Sequence, residues 1–151
     1  MKNLLEKIEK EGWIIKQSIA VSQIEQLARR ARKDLITAEN NINDDPECAY
    51  DYSYKAMLRI GRAILFSYSY RPRSERAHKT VVEACRIILG DKFADVIDVF
   101  DRMRKTRNQF TYDPITDISE KSAKEALKEA KYFLIVILER IKKINPQLNL
   151  F

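Results

Sequence analysis

The chain is poor in the residues that most directly announce chemistry. One histidine in 151 residues excludes a helical His-Glu-x-x-His zinc site. Three scattered glycines cannot build a phosphate-cradling loop of the Walker or dinucleotide type. No Gly-x-Ser-x-Gly nucleophile turn occurs. Cys48 and Cys85 lie far apart and match no metal or redox spacing, so a reduced, cytoplasmic setting is expected. Three glycines and four prolines supply little turn chemistry for a many-stranded β fold. No run approaches the ~20 apolar residues of a membrane span. The first residues, Met1 to Lys7, mix acids with bases and carry no apolar signal core. Neither a metal, a cofactor nor a membrane is therefore expected.

Charge and apolar residues are what the chain has. It is 45% hydrophobic and 33% charged, which argues against disorder. The length suits one domain, and a chain of this size buries about 68–70% of its unfolded surface without a staple. The balance of 28 Lys+Arg against 22 Asp+Glu gives a net charge of +6. That excess fits a polyanionic partner and an ordinary surface almost equally.

Apolar spacing predicts helices throughout. A short amphipathic helix around Leu4–Ile8 ends before Gly12, and Trp13-Ile14-Ile15 forms a strap packed on the body. Ser22-Gln23-Ile24-Glu25 has the form of a capping box. The helix it starts carries Ile24, Leu27, Ala28, Ala31, Leu35, Ala38 and Ile42 at three- to four-residue spacing. Asp45-Pro46 signals the next start and leads a helix to about Tyr70. This helix bears a small stripe (Ala49, Ser53, Ala56, Ala63, Ser67) and a bulky one (Tyr50, Tyr54, Met57, Ile64, Tyr68), so it is central or shared with a second subunit. Ser74 is the expected cap of a helix that Gly90 stops. A further helix runs from near Asp91 toward Asp113-Pro114, and the last from about Ser119 to Ile144. The expected architecture is all-α: an up-and-down antiparallel bundle of four to five main helices plus a short N-terminal one. Residues 1–21 form the N-terminal helix and strap, 22–145 the bundle and 146–151 a tail.

Two side chains stand out. At 100° per residue, Arg107 falls in the apolar arc of Phe93, Val96, Ile97, Phe100 and Met103, and Thr111 falls there too. A charge in that arc needs an acidic partner, such as Asp51 or Asp101, a polar cleft or a subunit interface. The alternative is that the helix frays and the side chain snorkels to water. His78 sits in the first turn of its helix, where the positive helix end, Arg76 and Lys79 favour neutral imidazole. It reads as a partly exposed residue rather than a catalytic one. Cations cluster at Arg102, Arg104, Lys105 and Arg107, at Arg71, Arg73, Arg76 and Lys79, and at Arg29, Arg30, Arg32 and Lys33. Such clusters bind phosphates, and interleaved Tyr68, Tyr70, Phe110 and Tyr112 are candidates to stack bases.

Several segments together resemble the HEPN domain family: Ala49–Leu65, Tyr70-Arg71-Pro72-Arg73-Ser74, Ala77–Ala84, and Met103–Asn108 followed by Tyr112-Asp113. The likeness runs from about Ser22 to Ile144. It implies an all-α bundle that commonly dimerises, often within toxin–antitoxin or defence systems. In active members an Arg, a following polar residue and a His form a metal-independent RNA-cleaving site. Here the Arg matches Arg107 and the polar residue Asn108, while Tyr112 stands at the His position. With an ordinary pKa near 10, Tyr is a poor acid or base at neutral pH. Asp113 is placed to polarise a neighbour. The expectation is an RNA- or nucleotide-binding homodimer whose catalytic set is Arg107, Asn108 and Tyr112, flanked by nucleic-acid contacts from Arg71, Arg73, Arg102, Arg104 and Lys105. The alternatives are a non-catalytic dimeric module partnering a nucleotidyltransferase-type protein, and a plain bundle in which Arg107 pairs internally.

Overall fold

The apolar periodicity is realised as helices, and the expected all-α class is the one formed. The structure, a computed structural model, describes residues 1–112 and 117–150, with the side chains of Phe110 and Thr111 outside that description. The short α1 (Lys2–Lys10) leads to α2 (Val21–Asn41), α3 (Pro46–Ser67), α4 (Ala77–Leu89), α5 (Ala94–Tyr112) and α6 (Glu120–Ile144). Two short strands, β1 (Ile14–Lys16) and β2 (Tyr70–Pro72), pair antiparallel, with Ile14 opposite Pro72 and Lys16 opposite Tyr70. The strap at Trp13–Ile15 is thus partly a strand, and Ile14 is buried.

Some start signals act as read. Asp45 Oδ1 accepts from the Cys48 N–H at 3.1 Å, with Pro46 at the first helical position. Ser119 Oγ accepts from the Ser122 N–H at 3.0 Å. Gly90, at φ 77°, stops α4 in the left-handed region that a side chain would strain. Others do not. α2 begins at Val21, capped by the extended Ala20 with no side-chain bond, so Ser22 is already helical. The Glu25 carboxylate instead accepts from the Asn149 N–H at 3.1 Å, tying the C-terminal tail to α2. Ser74 caps nothing, because the chain is still leaving the ribbon: the Arg73 N–H donates to the Trp13 carbonyl at 3.1 Å, and the N-cap of α4 is Arg76. α3 ends at Ser67, and the positive φ of Ser69 turns Tyr70 into β2. The closing signal Asp113-Pro114 and the arc position of the Thr111 side chain lie outside the described residues.

α3 is the central helix. It packs on α2 and α6, with α4 and α5 against its remaining sides. From both stripes, Ala49, Ser53, Ala56, Ala63, Tyr54, Met57 and Ile64 are buried. Burying each large apolar side chain contributes roughly 1.5–3 kcal/mol. The Ser53 hydroxyl donates to the Ala49 carbonyl at 2.8 Å, which satisfies it without leaving the helix. Rings link the layers: Tyr54 and Phe100 have centroids 5.9 Å apart, and Phe100 and Phe133 5.2 Å. Gly61 sets the approach of α4, since a Cβ there would lie 2.7 Å from Val81 Cγ1 and 3.1 Å from Cys85 Sγ. That close approach brings the N-terminal turn of α4 beside Tyr54.

Candidate functional site

α5 continues unbroken past Met103, so Arg107 does not escape by fraying. Val96, Ile97, Phe100 and Met103 are buried below it. One turn on, the Arg107 side chain is 34% exposed and its Nε–H donates to Asp51 Oδ1 of α3 at 3.2 Å. Asp51 also lies 3.0 Å from Lys55 Nζ. The acid is Asp51 rather than Asp101, whose carboxylate takes Arg104 at 2.9 Å and Lys105 at 3.3 Å. Burial pushes the Asp101 carboxyl up, but hydrogen bonds and charge from Arg104 and Lys105 outweigh it and hold the group below its ordinary value. A pair as wet as Arg107–Asp51 contributes at most about 1 kcal/mol. Its effect is to orient the guanidinium, one of whose five N–H donors is taken by Asp51.

The same guanidinium lines a cavity of about 520 Å³ with Ser74, Arg76, Ala77, His78, Lys79, Arg104 and Asn108. Four of these residues are cations and, among the described residues lining it, none is acidic. His78 also borders a second cavity of about 250 Å³ that is lined by Arg62 and Arg71, and Ser74, Ala77 and His78 are shared between the two. His78 Nδ1 lies 3.0 Å from the Tyr54 hydroxyl. Burial lowers the His78 pKa, and Arg107, Arg62 and Arg104 add to the effect. The expected direction holds, but the cations responsible come from α5 and α3 rather than from the sequence neighbours Arg76 and Lys79. Burial pushes the Tyr54 phenol well above its ordinary value, so it stays a neutral hydroxyl able to donate or accept.

Other residues singled out in the sequence are dispersed. Of the five cations read as nucleic-acid contacts, Arg104 lines the cavity and Arg71 the adjoining one. Arg71 Nε–H also donates to Gln17 Oε1. Arg102 lines a separate cavity of about 370 Å³ with Tyr50, Thr106 and Glu129. Arg73 and Lys105 are exposed. Asn108 is exposed at the rim, and Tyr112, at the end of α5, is 86% exposed. Tyr70 is withdrawn from any base-stacking role: it is buried, and its hydroxyl donates to Glu9 Oε1 at 3.1 Å. The Phe110 side chain and Asp113 lie outside the described residues. His78 is the residue whose place sequence reasoning missed. Its helix and that of Arg107 meet by packing on each other and on α3, and no local pattern reports that.

A second basic surface lies on α2 and α3. A groove of about 600 Å³ is lined by Gln23, Gln26, Leu27, Arg29, Arg30, Lys33, Arg59 and Phe66. Behind it sits Asp34, a side chain 4% exposed, which the helical pattern did not mark as core. Arg59 Nη1 donates to its Oδ1 at 3.4 Å and lies 3.3 Å from Oδ2. Burial raises the Asp34 pKa against the opposing pull of Arg59 and Arg30.

Among the described residues, no group of three or more His, Cys, Asp or Glu is arranged to hold a metal ion. Among the same residues, no helix is long and apolar enough to cross a membrane. A family model described as HEPN domain matches residues 24–141. No curated protein matches the chain.

Proposed function

The chain belongs to the HEPN domain family, and on that basis we propose that it is a homodimer that binds single-stranded RNA in the basic cleft around Arg107 and Asn108 and cleaves it without a metal, as a toxin-type endoribonuclease. HEPN domains are generally associated with ribonuclease, nucleotide-binding and toxin–antitoxin roles, and they often dimerise. The observation that carries the reading is Arg107, braced by Asp51 yet lining a cavity with Arg104, Lys79 and Asn108. A braced guanidinium fork is suited to a phosphate. Arg107 stabilises the charge that builds on the scissile phosphate, and Asn108 holds that phosphate or positions the 2′-hydroxyl. Tyr112, exposed at the helix end, offers a ring for a base. Arg71, Arg73, Arg102 and Lys105 add backbone contacts outside the cleft, which makes binding steeply salt-dependent. The test is incubation of the purified protein with single-stranded RNA in EDTA, beside Arg107→Ala. Cleavage by wild type and its loss in the variant support the reading; equal cleavage by both, or none by either, ends it.

The second groove favours one alternative. Leu27 and Phe66 rimmed by Arg29, Arg30, Lys33 and Arg59 suit an acidic protein surface. In that reading the chain is a non-catalytic dimeric module that docks a nucleotidyltransferase-type partner in a toxin–antitoxin system. Absence of cleavage together with dissociation of Arg107→Ala to monomers selects it.

A further inference from the structure

We propose that His78 is the proton carrier of this cleft, accepting the 2′-hydroxyl proton of the RNA from a position on α4 and so supplying the imidazole that the Arg107-Asn108 segment of α5 does not. The proposal rests on the RNA-cleaving reading above and assigns the group that reading lacks. Tyr112, at the motif position, is 86% exposed and is not among the residues lining the cavity. His78 lines it beside Arg107 and Asn108.

The geometry suits proton transfer. Nδ1 is occupied by the Tyr54 hydroxyl at 3.0 Å, which fixes the ring and leaves Nε2 as the working nitrogen. Tyr54 is itself held in the core, 1% exposed and packed on Phe100. A neutral phenol accepts from Nδ1–H whether the imidazole is neutral or charged, so Nε2 gains and loses a proton without repacking. Charged residues line the two cavities that His78 borders: Arg62 of α3 and Arg71 of β2 in the smaller one, and Arg104 and Arg107 of α5 with Arg76 and Lys79 at the start of its own helix in the larger. Partial burial, with Arg107, Arg62 and Arg104, lowers the imidazole pKa and favours the neutral ring that a base must be. Asp51 holds Arg107 from the side of α3.

The step balances within one substrate. The 2′-oxygen gives its proton to His78 Nε2 and bonds to phosphorus. The P–O5′ bond breaks with its electron pair going to O5′, which takes a proton from solvent. The products are a 2′,3′-cyclic phosphate and a 5′-hydroxyl end. His78 returns its proton to solvent, and nothing is oxidised or reduced.

The experiment compares wild type, His78→Ala and His78→Asn on a single-stranded RNA in EDTA across pH. Binding of the same strand with 2′-deoxyriboses and thermal stability are read in parallel. Asn keeps an amide oxygen or nitrogen near the Tyr54 hydroxyl but carries no transferable proton. Both variants are expected to lose 10²–10⁴-fold in kcat with KM and deoxy-strand binding within about threefold of wild type. Wild-type kcat/KM falls on acidification along a limb below the ordinary imidazole value of about 6.5, and the variants lack that limb. A wild type that cleaves beside variants that keep its rate overturns the assignment of His78 and leaves the cleft reading intact. Parallel loss of rate, binding and stability in both variants assigns His78 a structural role and likewise overturns it. A wild type that does not cleave removes the cleft reading and this inference together.

Discussion

Two basic hollows lie on one helical bundle, and they differ in more than size. The α2/α3 groove, about 600 Å³, sets Arg29, Arg30, Lys33 and Arg59 around Leu27 and Phe66. The cleft at α4 and α5, about 520 Å³, sets Arg76, Lys79, Arg104 and Arg107 around His78 and Asn108. Each offers four cations, so charge alone does not separate them. What separates them is how the charge is held. In the groove, Arg59 is matched to Asp34 beneath it, a buried acid that raises the cost of the fold. In the cleft, Arg107 is braced by a partly exposed acid and stands beside a histidine fixed by a buried phenol. Both hollows are basic; the cleft has, in addition, an imidazole whose pKa burial and the cations Arg107, Arg62 and Arg104 lower.

The sharpest way to break this contrast is to remove one arginine from each hollow. Arg107→Ala is expected to lower the rate of RNA cleavage by about 10²–10³-fold, the usual cost of one preorganised donor. Arg29→Ala, whose side chain is 53% exposed and 3.7 Å from Glu25, is expected to change it by less than about threefold. Similar losses from both would make the two hollows equivalent surfaces. A steric wedge tests the cleft from beneath. Gly61→Ala places a Cβ against Val81 and Cys85 and forces α4 away from α3. The expected destabilisation is about 1–3 kcal/mol by denaturant unfolding, with cleavage impaired beyond what the folded fraction explains.

The groove yields a smaller effect through Asp34. Its pKa is raised in the folded protein, so the carboxyl binds its proton more tightly there than in the unfolded chain. The resulting penalty is absent below the unfolded value near 3.9 and grows to its full size as pH rises through the raised native value. Asp34→Asn should therefore raise the Tm at pH 7 by about 2–4 °C, the shift that ~1 kcal/mol produces in a chain of this size. The gain should shrink toward zero near pH 3, and melting curves at the two pH values check it. Smallest is Tyr54→Phe, which removes one hydrogen bond from His78 Nδ1. A loss of about 1 kcal/mol in ring positioning predicts roughly fivefold slower cleavage and a shifted acid limb, with RNA binding unchanged.

Much of the fold was readable from local pattern. Asp45-Pro46 and Ser119 start helices because a cap needs only its own next three residues, and Gly90 stops one because only glycine takes its φ without strain. Ser22 and Ser74 misled for the opposite reason, since tertiary contacts overrode the local signal. Glu25 was drawn to the backbone of Asn149, and the segment before α4 was held by β1 until Arg73. The strands themselves were hard to see, because each spans three residues and pairs across more than fifty positions of intervening chain. Asp34 was missed because a lone acid among apolar residues looks solvent-facing until the neighbouring helix arrives.

The chain's own pattern determined the class of fold, because helical periodicity, caps and breaks act over one or two turns. It also determined that a guanidinium would stand on the apolar arc of α5 and need a counter-charge or water. Only tertiary packing chose Asp51, 56 residues earlier in the chain, as that counter-charge. Packing likewise turned an unremarkable first-turn histidine into a neighbour of Arg107. The reason is one of range: local spacing settles which face of a helix a residue takes, whereas the partner it meets depends on the order, approach and register of helices that pack only once the core closes.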